Sequence, residues 1–232
     1  HRVHQQAKAR VERRVSERSS SGKAEILAAA ARAFAEHGYH GMSMRDLGKL
    51  TRRSPATLYN YVESKEELLY LIQRDAFEEM LNTSETALEG VIDAEDRLHA
   101  FVLGHVSFFA DRQYLIRVLI HEAAALPPAR RAEIRELKER YFHLAEGIVG
   151  EVVQSRNGSE LPPLDVERNT YCLFGMLNWT YGWYEPIRHG TPEELAATIE
   201  RVAAAGVAAG VSRPRRDREE RSERAESHGG AR

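Results

Sequence analysis

"SPATLYNYVESKEELL", Ser54 to Leu69, carries two helix-start signals ten residues apart with a cluster of aromatics between them. Ser54 precedes Pro55, and proline suits the first helical position, where its missing N–H would have had no intrahelical partner. Ser64 precedes Glu67 at the spacing of a reciprocal cap. One helix therefore starts at Pro55, ends within two turns, and another starts at Ser64. The brief one turns Leu58 inward, with Val62 packing where it stops, and leaves Ala56, Thr57, Tyr59, Asn60 and Tyr61 mostly outward.

Upstream, Ser43 and Asp46 form a second capping-box pattern, opening a short helix whose Leu47 and Leu50 are expected to face inward. Before it, Ala24 to His37 carries Leu27, Ala30, Ala31 and Phe34 on one stripe and stops at Gly38, which tolerates a left-handed cap. Downstream, the helix from Ser64 runs through Met80 on Leu68, Leu69, Ile72, Ala76 and Met80. Two short helices separated by a turn of about three residues, braced by a longer helix in front, make a helix-turn-helix. In such a motif the brief second helix enters the DNA major groove and needs only about two turns of outward surface. On spacing alone, a small helical bundle with no ligand on that face is the alternative.

Charge sharpens the choice. Residues 1–65 hold 13 Lys and Arg against 6 Asp and Glu, residues 66–212 hold 13 against 24, and the last 20 residues hold 7 against 5. A basic front joined to an acidic body points to a polyanion at the front. Residues 1–22 read as a disordered basic arm, with Arg10, Arg13, Arg14 and Arg18 available to phosphates or the minor groove, and residues 213–232 as a disordered charged tail. Between them lie the DNA-binding unit at 23–69 and a body at 70–212. The longest apolar stretch, around Cys172 to Tyr184, is interrupted by Asn178 and falls short of the ~20 residues of a membrane span. No signal-peptide pattern is read, so the expectation is a cytoplasmic protein without a membrane partner. Cys172, the single cysteine, reads as a small core residue.

The body is also helical throughout, so the fold class is all-α. Asp93 opens a helix with the stripe Leu98, Phe101, Val102, His105, Phe108 and Phe109, and a shorter one spans about Tyr114 to Glu122. After Pro127 and Pro128 a long helix presents Ile134, Leu137, Tyr141, Leu144, Ile148 and Val152, ended by a polar loop from Ser155 to Pro163. Asp165 to Glu185, closed by Pro186, reads as one helix with two apolar seams. One runs through Val166, Thr170, Leu173, Leu177 and Tyr181, the other through Cys172, Met176, Trp179 and Trp183. A helix apolar on opposite sides is covered on both. The last helix, capped by Thr191 and Glu194, presents Leu195, Ile199, Ala203, Val207 and Gly210.

The run "MSMRDLGKLTRRSPATLYNYVESKEELL" resembles the DNA-binding domain of tetracycline-repressor (TetR) family transcription factors: Asp46, Thr57-Leu58-Tyr59 and Ser64-Lys65-Glu66 match in register, over about Ala24 to Leu69. It departs at Gly48, where alanine is common, at Arg52, where the family usually has the turn glycine, at Arg53, where an apolar residue is usual, and at Ala56, where glycine is frequent. The resemblance implies that Ser43 and Lys65, at helix starts, clamp the DNA backbone, with Tyr59 and Tyr61 adding phosphate contacts. It implies that Arg45, Pro55, Ala56, Thr57 and Asn60 lie where base edges are read: Arg45 suits guanine, Asn60 adenine, and Ala56 or the Thr57 methyl a thymine methyl. Ser54 completes the DNA-facing set.

The resemblance further implies a homodimer through the last two long helices, an operator with inverted-repeat symmetry, and a small-molecule effector bound in the body. No cofactor, metal or catalytic residue is expected. The effector contacts are sought among Phe101, His105, Phe109, Arg117, His121, Tyr141, Asn178, Tyr181 and Trp183, and the helix from Ser64, which joins both regions, is the expected lever. "GMLNWTYGWYEP", Gly175 to Pro186, resembles the subset of these regulators that govern fatty-acid or steroid degradation and respond to acyl-coenzyme A thioesters, with Gly182 where a longer side chain is usual. The rival readings are a nonspecific architectural DNA-binding protein and an all-helical enzyme acting on acyl thioesters. The second lacks a nucleophile elbow, a phosphate-cradling glycine loop and a His-Glu-His zinc pattern.

Overall fold

A computed structural model describes residues 21–158 and 162–209. The arginines of the basic arm, Gly210, the side chain of Val207 and the charged tail lie outside the described residues. Ten α-helices and no strand occur among those described: α1 (21–37), α2 (Met44–Thr51), α3 (Pro55–Tyr59), α4 (Lys65–Leu88), α5 (Ala94–Ala110), α6 (Gln113–His121), α7 (Pro128–Asn157), α8 (Pro163–Trp179), α9 (Pro186–His189) and α10 (Pro192–Ala209). None is long and apolar enough to cross a membrane.

The helix-turn-helix forms as its caps dictate. Ser43 and Asp46 bond reciprocally at the start of α2, and the Ser54 side chain accepts the Thr57 N–H at the start of α3. Ser64 likewise accepts the Glu67 N–H, but the Glu67 carboxylate reaches back to the N–H of Glu63 and not of Ser64. Ile26, Ala30, Ala31 and Phe34 of α1 close over Leu47, Leu58, Leu68 and Leu69. Each fully buried aliphatic or aromatic side chain there stabilises by ~1.5–3 kcal/mol.

Four expectations for this region are corrected or refined. Leu50 points outward, 56% exposed, because at ~100° per residue it lies about 110° from the centre of the arc that Met44, Leu47, Gly48 and Thr51 turn toward the core. Ser21 and Gly22 are already helical, and a Cβ on Gly22 would come 2.9 Å from the Tyr61 hydroxyl, so the glycine lets α1 run under that ring. Arg52 takes the left-handed conformation of the missing turn glycine (φ 53°), and the turn folds the Arg53 carbonyl onto α2. An alanine at 48 would place its Cβ 2.7 Å from that oxygen, which accounts for Gly48. Arg53 is held by Glu25 of α1 at 2.7 Å and lies over the Tyr61 ring, so an ion pair replaces the usual apolar contact.

In the body, α5 is flanked by α4, α7 and α10, and α8 packs on α7 and α10. The lever helix α4 extends past Met80 to Leu88, burying Leu81, Ser84 and Leu88 on the same side. The helix read as Asp165 to Glu185 stops at Trp179. Thr180 turns its hydroxyl onto the Leu177 carbonyl at 2.7 Å, competing with the helical ladder, and Thr180–Gly182 tightens into a 3₁₀ turn before Trp183 leaves with φ −147°. The first seam of α8 faces the core through Thr170, Leu173 and Leu177. The second does not: Cys172 is exposed, correcting its reading as a core residue, and Trp179 is 64% exposed with Trp183 beyond it. On α10, Leu195 and Ile199 are buried within the subunit, while Val202 is exposed beside Cys172 and Met176 in a groove between α8 and α10.

Candidate nucleic-acid interface and effector cavity

Leu58 pins α3 to the core and leaves the rest of that helix uncovered. Ser54, Pro55, Ala56, Tyr59 and Asn60 are exposed, as are Ser43 and Arg45 of α2, and an open groove between α2 and α3 is lined by Arg45, Asp46, Pro55, Tyr59 and Lys65. Among the described residues, no part of the acidic body covers this face. Thr57 is half-buried, its hydroxyl 2.9 Å from that of Ser54, so its methyl rather than its hydroxyl is free to meet a ligand.

Among the expected phosphate contacts, the Ser43 hydroxyl and the Lys65 ammonium are already engaged within the protein, and Tyr61 sits apart from the exposed face. The Ser43 hydroxyl and backbone N–H both engage Asp46, holding that carboxyl below the usual carboxylate range, so the unspent donors at the α2 start are the N–H groups of Met44 and Arg45. Lys65 Nζ donates to the carbonyls of Tyr39 and Met42, both at 2.9 Å, and sits 4.0 Å from the Tyr39 ring centroid. Its ammonium ties α4 to the loop after α1, leaving its backbone N–H for a phosphate. Tyr61 is half-buried against Gly22 and Arg53 and does not share the exposed face of Tyr59.

In the body, a cavity of about 190 Å³ opens between α4, α5, α6, α7 and α8. Of the nine residues sought there, His105, Phe109, Tyr141 and Asn178 line it. Phe101 lies behind, its ring 5.1 Å from that of Tyr141. Arg117, His121 and Tyr181 instead form a surface cluster, with His121 Nε2 3.1 Å from the Tyr181 hydroxyl and Arg117 over the Tyr181 ring. Trp183 packs edge-on against His189 and Tyr184. The 3₁₀ turn at Thr180 swings Tyr181 off the helical register that would have carried it toward the cavity, and Trp183, on the opposite seam, lies away from that face in either case. His105 and His121 thus belong to different clusters, and no three metal-ligating side chains converge among the described residues.

The remaining lining was missed: Phe77 and Met80 of α4, Ile116, Leu119 and Ile120 of α6, Lys138 and Phe142 of α7, and Tyr171 and Phe174 of α8. The signal was periodic. Tyr171 and Phe174 lead at three and four to Asn178 but fall between the two seams chosen for α8, and Lys138 and Phe142 stand three and one residues from Tyr141, beside the stripe that carries it. His105 is 2% exposed, and burial drives its imidazole down to about 3, so the ring is neutral. Burial likewise raises the Tyr141 phenol, whose oxygen is 3.1 Å from His105 Nδ1. The cavity touches the DNA-binding unit by two routes. One is α4; the other is α6, whose Tyr114 and Leu115 meet Leu27, Ala28 and Ala31 of α1, with the Arg32 guanidinium 4.9 Å from the Tyr114 ring centroid.

Comparison with known proteins matches both halves. Residues 26–70 fit the family model described as bacterial regulatory proteins of the tetR family, and residues 91–207 the tetracyclin repressor-like C-terminal domain. The fatty acid metabolism regulator protein of Bacillus subtilis is 26% identical over 156 residues, 67% of this chain and 79% of that protein. The Escherichia coli regulator UidR is 28% identical over 158 residues, 68% and 76% of the two chains. Among solved structures, PfmR of Thermus thermophilus superposes with a TM-score of 0.69 at 28% identity, covering 78% of this chain and 97% of that one. AibR, solved in complex with isovaleryl coenzyme A and operator DNA, gives 0.68 at 25% identity over the same shares. With a helix-turn-helix whose second helix lies bare and an all-helical body around a cavity, the chain belongs to the TetR family of transcriptional regulators.

Proposed function

We propose that the outer face of α3, with Arg45 from α2, reads base edges of a duplex operator, and that the protein represses transcription until an effector enters the α4–α8 cavity. The observation that carries the DNA half is the bareness of α3: Leu58 anchors it, while Pro55, Ala56, Tyr59 and Asn60 stand clear of the acidic body. In this reading Arg45 and Asn60 specify bases, Tyr59 and the N–H groups at the starts of α2 and α4 hold phosphates, and the ammonium of Lys65 braces the scaffold. The protein acts by binding and not by catalysis, in the cytoplasm where its operator lies.

A homodimer is the second part. The exposed seam of Cys172 and Trp179 on α8, next to Val202 on α10, is an apolar surface of the kind a symmetry mate covers. Two α3 helices about one DNA turn apart, ~34 Å, fit an imperfect inverted repeat. For the effector, support comes from the cavity and from two relatives: one named a regulator of fatty acid metabolism, the other solved with an acyl-coenzyme A and operator DNA. An acyl-coenzyme A whose acyl part enters the cavity fits both. Such a ligand weakens DNA binding by its preference for the geometry in which α4 and α6 hold the two α3 helices out of register.

Selecting bound duplexes from a random pool, then adding acyl-coenzyme A thioesters of graded chain length, tests the whole reading. An inverted repeat released by a subset of chain lengths is expected. Absence of any preferred sequence at every salt concentration refutes the regulator reading in favour of a nonspecific DNA binder.

A further inference from the structure

Among the described residues, the buried side-chain atoms without a hydrogen-bond partner are the two amide atoms of Gln73, Nε2 of His105 and a terminal nitrogen of Arg130. Of these residues, His105 is the one that lines the α4–α8 cavity; its Nε2 is itself enclosed by protein, so an entering ligand reaches it by pushing aside the side chains that cover it. Leaving a buried polar atom unpaired costs about as much as a lost hydrogen bond, so a ligand able to pair it gains affinity.

What it pairs with follows from its tautomer. The buried Tyr141 phenol keeps its proton, and its acceptor among the described residues is His105 Nδ1 at 3.1 Å. Were Nδ1 the donor instead, both the phenol proton and the Nε2 lone pair would be left without a partner among the described residues. Tyr141 therefore donates to Nδ1, and the single proton of the neutral imidazole sits on Nε2. The unpaired atom is an uncharged N–H.

The surroundings select against charge. Phe77, Met80, Phe109, Ile116, Leu119 and Phe174 are apolar, and Lys138, which is exposed, is the single charged residue in the lining. An anion beside the neutral ring would lose its hydration with no counterion to replace it. A carbonyl oxygen asks for one donor and carries no net charge. At about 190 Å³ the cavity is smaller than the ~300–1,000 Å³ of sites for drug-sized ligands, so it takes an acyl chain or a ring and leaves the remainder outside, where Lys138 suits an anionic group.

We infer that the cavity selects an apolar body bearing one uncharged hydrogen-bond acceptor, a thioester, ester or ketone carbonyl, and that His105 Nε2–H donates to that oxygen. The inference rests on the proposed reading of this cavity as the effector site.

The test uses the full chain and two probes of equal shape, 2-octanone and 2-methyl-1-octene, in which a methylene replaces the oxygen. The carbonyl stretch of isotope-labelled 2-octanone bound to the wild-type protein is expected below its frequency in heptane. The ratio of ketone to alkene affinity is expected to fall about tenfold in His105→Leu and to recover in part in His105→Gln, which keeps an N–H. An unshifted stretch in the wild type, an unchanged ratio in a folded His105→Leu, or no binding of either probe overturns the inference. The infrared measurement needs no variant, so a misfolded His105→Leu does not rescue it. Operator release is scored separately: a ketone bound with a lowered stretch but without effect on DNA affinity refutes the effector reading and leaves carbonyl recognition standing.

Discussion

Replacing Lys65 by methionine separates two roles that one side chain can play at the edge of a DNA-binding unit. Its ammonium donates to two carbonyls of the loop after α1 at 2.9 Å and lies 4.0 Å from the Tyr39 ring centroid. Hydrogen bonds from a charged donor contribute ~1.5–3 kcal/mol each when enclosed, and a cation–π contact at a partly exposed site ~0.5–1 kcal/mol. Lys65 is half-buried and the methionine stem keeps much of its packing, so screening reduces the loss to about 2–3 kcal/mol. For a chain of this size that is a fall in Tm of roughly 4–12 °C. A phosphate contact by the same ammonium would leave a different mark: one counterion fewer released per subunit, and a slope of log K against log salt shallower by ~1.8 for the dimer. Calorimetry and binding titrations at four salt concentrations, run well below the lower Tm, read both quantities. A lowered Tm with an unchanged slope is expected. An unchanged Tm with a shallower slope would refute the assignment of Lys65 as a brace.

Gln73→Met removes a fully buried amide whose two polar atoms have no partner among the described residues and replaces it with a similar volume. A gain of ~1–3 kcal/mol in urea denaturation is expected, and a loss would mean that the amide is satisfied. His105 is depressed from 6.5 to about 3, so between these values the unfolded chain binds a proton that the folded one does not. Its contribution is complete above pH 6.5 and declines by ~1.4 kcal/mol per pH unit as the pH falls through that window. Urea midpoints of wild type and His105→Phe should therefore diverge in slope below pH 6.5; parallel curves would contradict the burial argument. Trp179→Glu sets a charge on the exposed α8 seam and should yield monomers in sedimentation velocity together with a collapse of operator affinity, whereas an intact dimer would move the interface elsewhere.

The parts of the molecule legible in sequence were those governed by local rules. Caps at Ser43, Ser54, Ser64, Asp93 and Thr191 each opened a helix as their spacing required, because a cap is decided within four residues. Errors arose where a side chain's direction depended on a distant partner. Leu50 and Cys172 are apolar residues at helical spacing, yet they point outward because the buried arc of each helix is set by what packs against it. Tyr181 and Trp183 were extrapolated along a helix that Thr180 ends. The inward turn of Lys65 had no local signal, since its acceptors lie 23 and 26 residues away. The cavity was half legible: His105 and Phe109 on α5, Tyr141 on α7 and Asn178 on α8 stood out, but the α6 wall and the α8 aromatics emerge only from how five helices meet.

The central claim is that the bare face of α3 reads bases, and affinities over all single-base variants of the selected operator test it most directly. Asn60→Ala is expected to flatten the preference at one base position in each half-site by ~1–3 kcal/mol, while Tyr59→Ala weakens every variant by the same factor. An Asn60→Ala protein with its base preferences intact, or a Tyr59→Ala protein that loses preference at a single position, would contradict the account.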